Sequence, residues 1–167
     1  MNSLEREVAQ VMRRLALVAL LAMVTLALAP LPAAAEGETV ISAAGEASFP
    51  EDASFNGIPL SGSTFGFGAS VAGDGTASGD VDIVLVGTPP LGGEQKIVVV
   101  GNVATGALNV DGSATLGGTA SVDMGDGTPR LTDIPFVLTA TADGLQLVLG
   151  TTTLPAQTLA LGAIDIQ

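Results

Sequence analysis

The sequence predicts an all-β protein, an antiparallel β-sandwich or up-and-down β-barrel of roughly nine strands. Its composition is rich in turn formers and poor in aromatics, with 22 Gly, 9 Pro and no Trp or Tyr. Such a composition suits strands of small and β-branched residues joined by turns. Apolar and polar residues alternate with a period of two in most segments after residue 40, which is the pattern of half-buried strands. Turn signals such as Asn56-Gly57 and Asp143-Gly144 separate these segments.

The first 35 residues have the organisation of an export signal. Arg13-Arg14 precede an uncharged apolar run at residues 15–29, and Ala33-Ala34-Ala35 follows it. A basic segment, an apolar core of about 7–15 residues and a small-residue cleavage site define a secretory signal peptide. We therefore expect a signal-peptide helix in residues 1–35 and cleavage after Ala35.

Cleavage there leaves one all-β domain over residues 36–167. The apolar run is shorter than the roughly 20 residues that span a bilayer, so we expect no stable membrane anchor after cleavage. Export by the Sec route predicts a secreted, extracellular location or the exterior of the cell envelope. Translation from Met12 instead of Met1 is an alternative start, because Met12 stands directly before the arginines.

Charge and residue content exclude several functions. The chain has 17 acidic and 5 basic residues; cleavage removes two acidic and three basic ones, leaving 15 against 2, a net charge of −13. Such a surface repels nucleic-acid phosphates, so nucleic-acid binding is excluded. His and Cys are absent, which removes the usual general base, disulfides and the commonest transition-metal ligands. We expect a protein that is not an enzyme.

The first part of the domain reads as successive strands. Residues 41–49 alternate in character and end at Pro50. Asn56-Gly57 is a strong type I′ turn signal. A strand carrying Phe65 and Phe67 on its buried face then leads to a turn at residues 73–75, which places Val71 opposite Ala77.

Residues 76–86 and 95–103 form the clearest pair of strands. Pairing Val84 with Val98 brings their apolar positions onto one buried face, and burial fixes register. The opposite face is polar at one end and apolar at the other. We call it the valine–aspartate face; it consists of Asp80, Asp82, Val84, Val86, Val98 and Val100.

Downstream the pattern is less definite. Residues 107–116 are compatible with a single strand that turns at Gly117-Gly118, which we prefer, or with a tight hairpin about Asp111-Gly112. A hairpin at Asp143-Gly144 is expected to pair Ala140 with Leu147 and Leu138 with Leu149. The last strand changes phase at Gly162-Ala163, which predicts a β-bulge, and we expect it to pair with the first strand.

Two groups of aspartates are candidates for chemistry. Asp80 and Asp82 lie about 7 Å apart on one strand face, within the carboxyl separations of glycosidases, although solvation is the commoner role of exposed carboxylates. Asp123, Asp126 and Asp133 are candidate calcium ligands, although their spacing departs from an EF-hand loop. Turn formation explains them more simply, and no other cofactor is expected.

These observations predict a secreted non-catalytic β-domain with a structural, adhesive or surface-interaction role. Its partner would be a protein or cell-surface molecule, with self-association as a further option, and the valine–aspartate face is the predicted contact. The alternative is a β-barrel that binds a small apolar ligand between Phe65, Phe67 and Phe136. A hydrolase using only the Asp80 and Asp82 carboxylates is the third hypothesis.

Overall fold

A computed structural model describes residues 37–167; the predicted signal peptide and its helix lie outside these residues. The described chain is folded as antiparallel β-strands, which confirms the all-β prediction. The ten strands are β1 (Thr39–Ser48), β2 (Ser54–Phe55), β3 (Ile58–Val71), β4 (Thr76–Gly87), β5 (Gln95–Leu108), β6 (Ala114–Asp123), β7 (Leu131–Thr141), β8 (Gly144–Leu149), β9 (Thr152–Thr153) and β10 (Gln157–Ile166). Within residues 37–167 no helix has the length and apolarity needed to cross a membrane.

Most neighbouring strands in the sheet are also neighbours in sequence. Strands β3 to β8 pair in chain order, and β10 follows β8. Strand β1 pairs with β10 and also with β3. The two-residue strands β2 and β9 pair antiparallel with β3 and β8. Short connections between antiparallel neighbours explain why the turn signals in the sequence located most of the strands.

The registers predicted for β3, β4 and β5 are confirmed. Val71 lies opposite Ala77, and Val84 lies opposite Val98. Asn56 and Gly57 both have positive φ, 49° and 79°, as a type I′ turn requires. The turn at residues 73–75 therefore predicted the first pairing from the sequence, and alternating burial predicted the second.

The single strand predicted at residues 107–116 is wrong, because the chain forms a hairpin there. Strand β5 ends at Leu108 and β6 begins at Ala114. The Asp111 carboxylate accepts a hydrogen bond from the Ser113 backbone N–H at 3.0 Å, and Gly112 has a φ of +84°. The local turn supplies hydrogen bonds that a continuous strand could not make at Asp111.

The hairpin between β7 and β8 has a different register from the one predicted. Ala140 pairs with Leu145 and Leu138 with Leu147, a shift of two residues. Thr141 pairs with Gly144, so Ala142 and Asp143 form the turn. Gly144 itself lies against β10, where an added Cβ would stand 2.0 Å from the Gln157 carbonyl oxygen. A glycine that looked like a turn residue is therefore required for a close approach between strands.

Strand β10 contains the predicted change of phase, two residues earlier than expected. Glu46 pairs with Leu161 and Ala47 with Leu159, so Ala160 is the extra residue of a bulge. The bulge turns Leu161 outward, where it is 67% exposed. The expected pairing of the last strand with the first is confirmed.

One face of the sheet packs into a single apolar cluster. Its largest fully buried side chains come from six of the strands and from the β9–β10 connection: Ile41, Ile83, Leu85, Ile97, Leu116, Leu138, Leu147 and, in the connection, Leu154. Each such side chain stabilises the fold by about 1.5–3 kcal/mol relative to exposure. The alternate side chains of these strands lie on the opposite, outer face of the sheet.

Candidate interaction surface

The structure brings the six residues of the valine–aspartate face together on the outer side of β4 and β5. Asp82 lies opposite Val100, and Val86 lies opposite Lys96, as the predicted register requires. Val81, Ile83 and Leu85 point the other way and are at most 1% exposed. Period-two alternation thus places the core and the candidate surface on opposite faces of the same strand.

The apolar end of this face is open to solvent. Val100 is 42% exposed, and Val84, Val86 and Val98 are partly buried. Polar residues border it, with Thr64 beside Val84 and Ser121 beside Val100. A small apolar area with a polar border is typical of an interaction surface.

The charge of this face is negative. Asp80 and Asp82 are both exposed. The two basic side chains of residues 37–167 lie next to other acids: Lys96, opposite Val86 at the apolar end of this face, has its Nζ 3.5 Å from a Glu94 carboxylate oxygen, and Arg130 is 3.5 Å from Asp123. A partner would therefore have to bring its own cations to Asp80 and Asp82.

A different set of aspartates builds turns. Asp74, Asp111 and Asp126 each precede a Gly and then a Thr or Ser. In each case Oδ1 accepts one bond from the hydroxyl (2.6–2.7 Å) and one from the backbone N–H (2.9–3.0 Å) of that third residue. These bonds lower the pKa of all three carboxyls below the ordinary value of 3.8. The bond from the hydroxyl has the larger effect, and the bond from the backbone N–H has the next largest. The Asp-Gly-Thr/Ser triplet was the sequence signal for these turns.

The candidate calcium ligands are not brought together as one ligand set. Asp123 accepts a hydrogen bond from the Gly125 N–H at 3.0 Å and lies beside Arg130. Asp126 accepts the hydrogen bonds of the Asp126-Gly127-Thr128 turn, and Asp133 is exposed in β7 with a φ of 57°. Among residues 37–167 no group of three or more acidic side chains is arranged to hold a metal ion.

A shallow depression that sequence reasoning did not identify lies on the outer face of β1 and β10. It has a volume of about 330 Å³ and is lined by Ser42, Ala43, Ala44, Phe67, Ala163 and Asp165. Gly66 and Gly68 of β3 are paired with Ala44 and Ser42, so β3 adds no side chain at these two positions. Gly66 and Gly68, which alternate with Phe65, Phe67 and Ala69, were the signal in the sequence.

The three phenylalanines of the ligand-binding alternative belong to the core. Phe65, Phe67 and Phe136 are 3–6% exposed and lie in the apolar cluster. The Phe65 and Phe67 rings lie side by side, with centroids 5.9 Å apart. They pack against other side chains of the same buried face.

Comparison of the chain with protein-family models, with curated proteins and with solved structures finds no match.

Proposed function

We propose that the chain is a secreted, non-catalytic β-domain that acts by surface contact with a partner protein or a cell surface. The observation that carries this proposal is the valine–aspartate face, where a solvent-exposed Val100 and its partly buried valine neighbours adjoin two exposed carboxylates. Residues 1–35 supply the export signal in this proposal. The acidic surface then suits a protein that works outside the cell in soluble form.

We also infer that the sheet closes into a barrel of eight strands: β1, β3 to β8 and β10. What supports closure is the double pairing of β1, with β3 through ten residue pairs and with β10 through eight. The β8–β10 contact is the shortest of the ring, with two residue pairs. An eight-stranded barrel is just wide enough for side chains to fill, which agrees with one continuous apolar cluster.

In the proposed contact, the valine end of the face contributes mainly to affinity and the aspartate end mainly to selectivity. Burying the valines would provide the apolar contribution, at roughly 25 cal/mol per Å² removed from water. Asp80 and Asp82 would favour a cationic partner and speed its approach, because charge complementarity acts mainly on specificity and association rate. A partner with an apolar contact point beside basic residues fits this face.

The other two hypotheses have weaker support. An apolar ligand would have to displace Phe65, Phe67 and Phe136 from a close-packed cluster. A hydrolase would have to rely on Asp80 and Asp82, which are exposed on an open strand face. Catalytic sites normally exclude water, because this strengthens their electrostatic interactions, and the exposed position of Asp80 and Asp82 does not provide such surroundings.

The test uses a photo-activated cross-linking residue in place of Val100, with Val137 as the matched control. Val137 is 41% exposed on the outer face of β7, against 42% for Val100. On the producing cells, we expect a defined adduct from position 100 and none from position 137. Asp80→Asn together with Asp82→Asn should reduce its yield at low ionic strength.

Equal labelling from both positions would contradict a specific contact at this face, as would no adduct at either. The same culture tests export independently. The N-terminal residue of the protein in the medium is expected to be Glu36.

A further inference from the structure

The C-terminal part of β10 has a neighbouring strand on one side only among residues 37–167. The Leu159 N–H donates to the Asp143 carbonyl at 2.8 Å, and this is the last backbone contact between β10 and the β7–β8 hairpin. From residue 161 onward, β10 pairs with β1 alone among residues 37–167. Residues 160–163 and Asp165 are exposed. We call residues 162–166 the β10 free edge.

The hydrogen-bond pattern defines which backbone groups of this edge are available. Val40 and Gln167 exchange two backbone bonds of 2.9 Å. Hydrogen-bonded and non-hydrogen-bonded residue pairs alternate along antiparallel strands. Counting back from the bonded Val40–Gln167 pair, the backbone N–H and C=O groups of Asp165 and Ala163 therefore bond to β1. Ile164 and Ile166 therefore direct their N–H and C=O groups away from β1. A row of such groups is a template for an added strand.

The two sides of the β10 free edge differ in chemistry. Ile164 is 8% exposed and Ile166 is partly buried, both on the core side. Asp165 projects outward, has no ion-pair partner among the described residues and lines the 330 Å³ depression with Ser42 and Ala44. An added strand would thus meet apolar side chains on one side and a carboxylate beside a depression on the other.

Charge decides which strand can bind. A second copy would bring another Asp165 and a second net charge of −13 over residues 36–167, and like charges oppose association. The two basic side chains of residues 37–167 are paired with Glu94 and Asp123. A cation for Asp165 must therefore come from a different molecule.

We propose that the β10 free edge receives an extended basic segment of a partner protein as an additional β-strand. Its backbone bonds to Ile164 and Ile166, its basic side chains lie beside Asp165 over the depression, and its alternate apolar side chains lie beside the two isoleucines. Backbone pairing supplies affinity and the alternate side chains supply selectivity, as in other cases of strand addition. This inference is independent of the valine–aspartate face.

The test is amide hydrogen exchange by NMR on the purified protein, with a synthetic peptide of alternating Lys and Val as the probe. Without peptide, the Ile164 and Ile166 amides should exchange rapidly and the Ala163 and Asp165 amides slowly. At a peptide concentration about 100 times the Kd, exchange at Ile164 and Ile166 should slow by about 100-fold. Asp165→Asn should weaken the effect, whereas Asp52→Asn, an exposed aspartate in the β1–β2 connection, should leave it unchanged.

Two control peptides isolate the strand and the charge. One replaces Lys by Glu, and one carries a central Pro, which cannot donate to a β-ladder; neither should protect the edge. Slow exchange at Ile164 and Ile166 in the dilute free protein would overturn the proposal, because the edge would already be occupied. Protection that rises with protein concentration alone would identify a second copy as the occupant and overturn it as well. Equal protection by the Lys and Glu peptides would also overturn it.

Discussion

The Ser63 hydroxyl of β3 donates a hydrogen bond to Oε1 of Gln157 in β10, although 94 residues separate them in sequence and β1 lies between their strands. Both residues are buried, at 5% and 3% exposure. The Gln157 Nε2 atom has no hydrogen-bond partner among the described residues. This contact is a polar link within an otherwise apolar core, at the place where the first and last strands of the domain meet.

We predict strong coupling between Ser63 and Gln157. Ser63→Ala should lower the free energy of unfolding by about 1–3 kcal/mol, because it leaves the buried amide without its donor. Combining Ser63→Ala with Gln157→Met should recover most of that loss, since no buried polar group remains. Urea unfolding of the wild type, both single variants and the double variant measures the coupling. Strictly additive losses would show that the hydrogen bond does not link the two side chains energetically.

The turn aspartates predict loss of stability in acid. Asp74, Asp111 and Asp126 have lowered pKa values because the following Thr or Ser hydroxyl and backbone N–H bond to the charged carboxylate. Each carboxylate therefore stabilises the fold fully above the unfolded-state pKa of about 3.8. That contribution is lost as the pH falls through the lower folded-state pKa values. Thermal midpoints should fall as the pH drops below about 4.

The matching variant replaces all three by Asn, which keeps the acceptor oxygen but does not titrate. Its thermal midpoint should depend less on pH below 4 than that of the wild type. The control replaces Asp52, Asp80 and Asp143, which lie outside the Asp-Gly-Thr/Ser turns. An acid profile that is the same in the turn variant and the wild type would contradict the prediction.

Alternation of apolar residues was sufficient to predict much of the fold. The registers of β3 with β4 and of β4 with β5 are correct because a slip of one residue would expose Val81 and Ile83. The β7–β8 register failed because Gly144 was taken as a turn residue. Its role, a close approach to the Gln157 backbone, depends on a strand that follows later in the chain. Such tertiary reasons for glycine leave no local pattern.

The candidate sites divide in the same way. The valine–aspartate face lies on two adjacent strands, so the sequence was enough to assemble it. The β10 free edge depends on where the β7–β8 hairpin ends relative to β10, which is a relation between distant segments. The hairpin at Asp111 was predicted wrongly although a local signal was present. Its Asp-Gly-Ser triplet resembles the Asp-Gly-Thr triplet of the turn at residues 74–76, and a comparison of the two triplets would have predicted the hairpin.

Two glycines should respond oppositely to substitution by Ala. Gly162 has a φ of +104°, and an added Cβ would lie 2.1 Å from the Ala44 carbonyl oxygen. Gly162→Ala should destabilise the fold by about 3 kcal/mol, near the upper end of ordinary point substitutions. Nothing lies within 4 Å of a Cβ added at Gly66. Gly66→Ala should be neutral or stabilising by up to about 1 kcal/mol, because it restricts the unfolded chain. Chemical denaturation of the pair checks the contrast, and a large loss for Gly66→Ala would show that its outer face is occupied.

Removing calcium should leave the thermal midpoint unchanged. One carboxylate oxygen of Asp123 and one of Asp126 already accept turn hydrogen bonds, and Asp133 does not complete a ligand set with them. An ion that bound the folded state alone would raise the midpoint as its concentration increased. Calorimetry in EDTA and in about 5 mM calcium, well within the range where extracellular calcium sites fill, measures this directly. Magnesium at equal ionic strength is the control for charge screening of an acidic surface. A midpoint that rises with calcium but not with magnesium, and no longer does so in Asp126→Asn, would reinstate the calcium site.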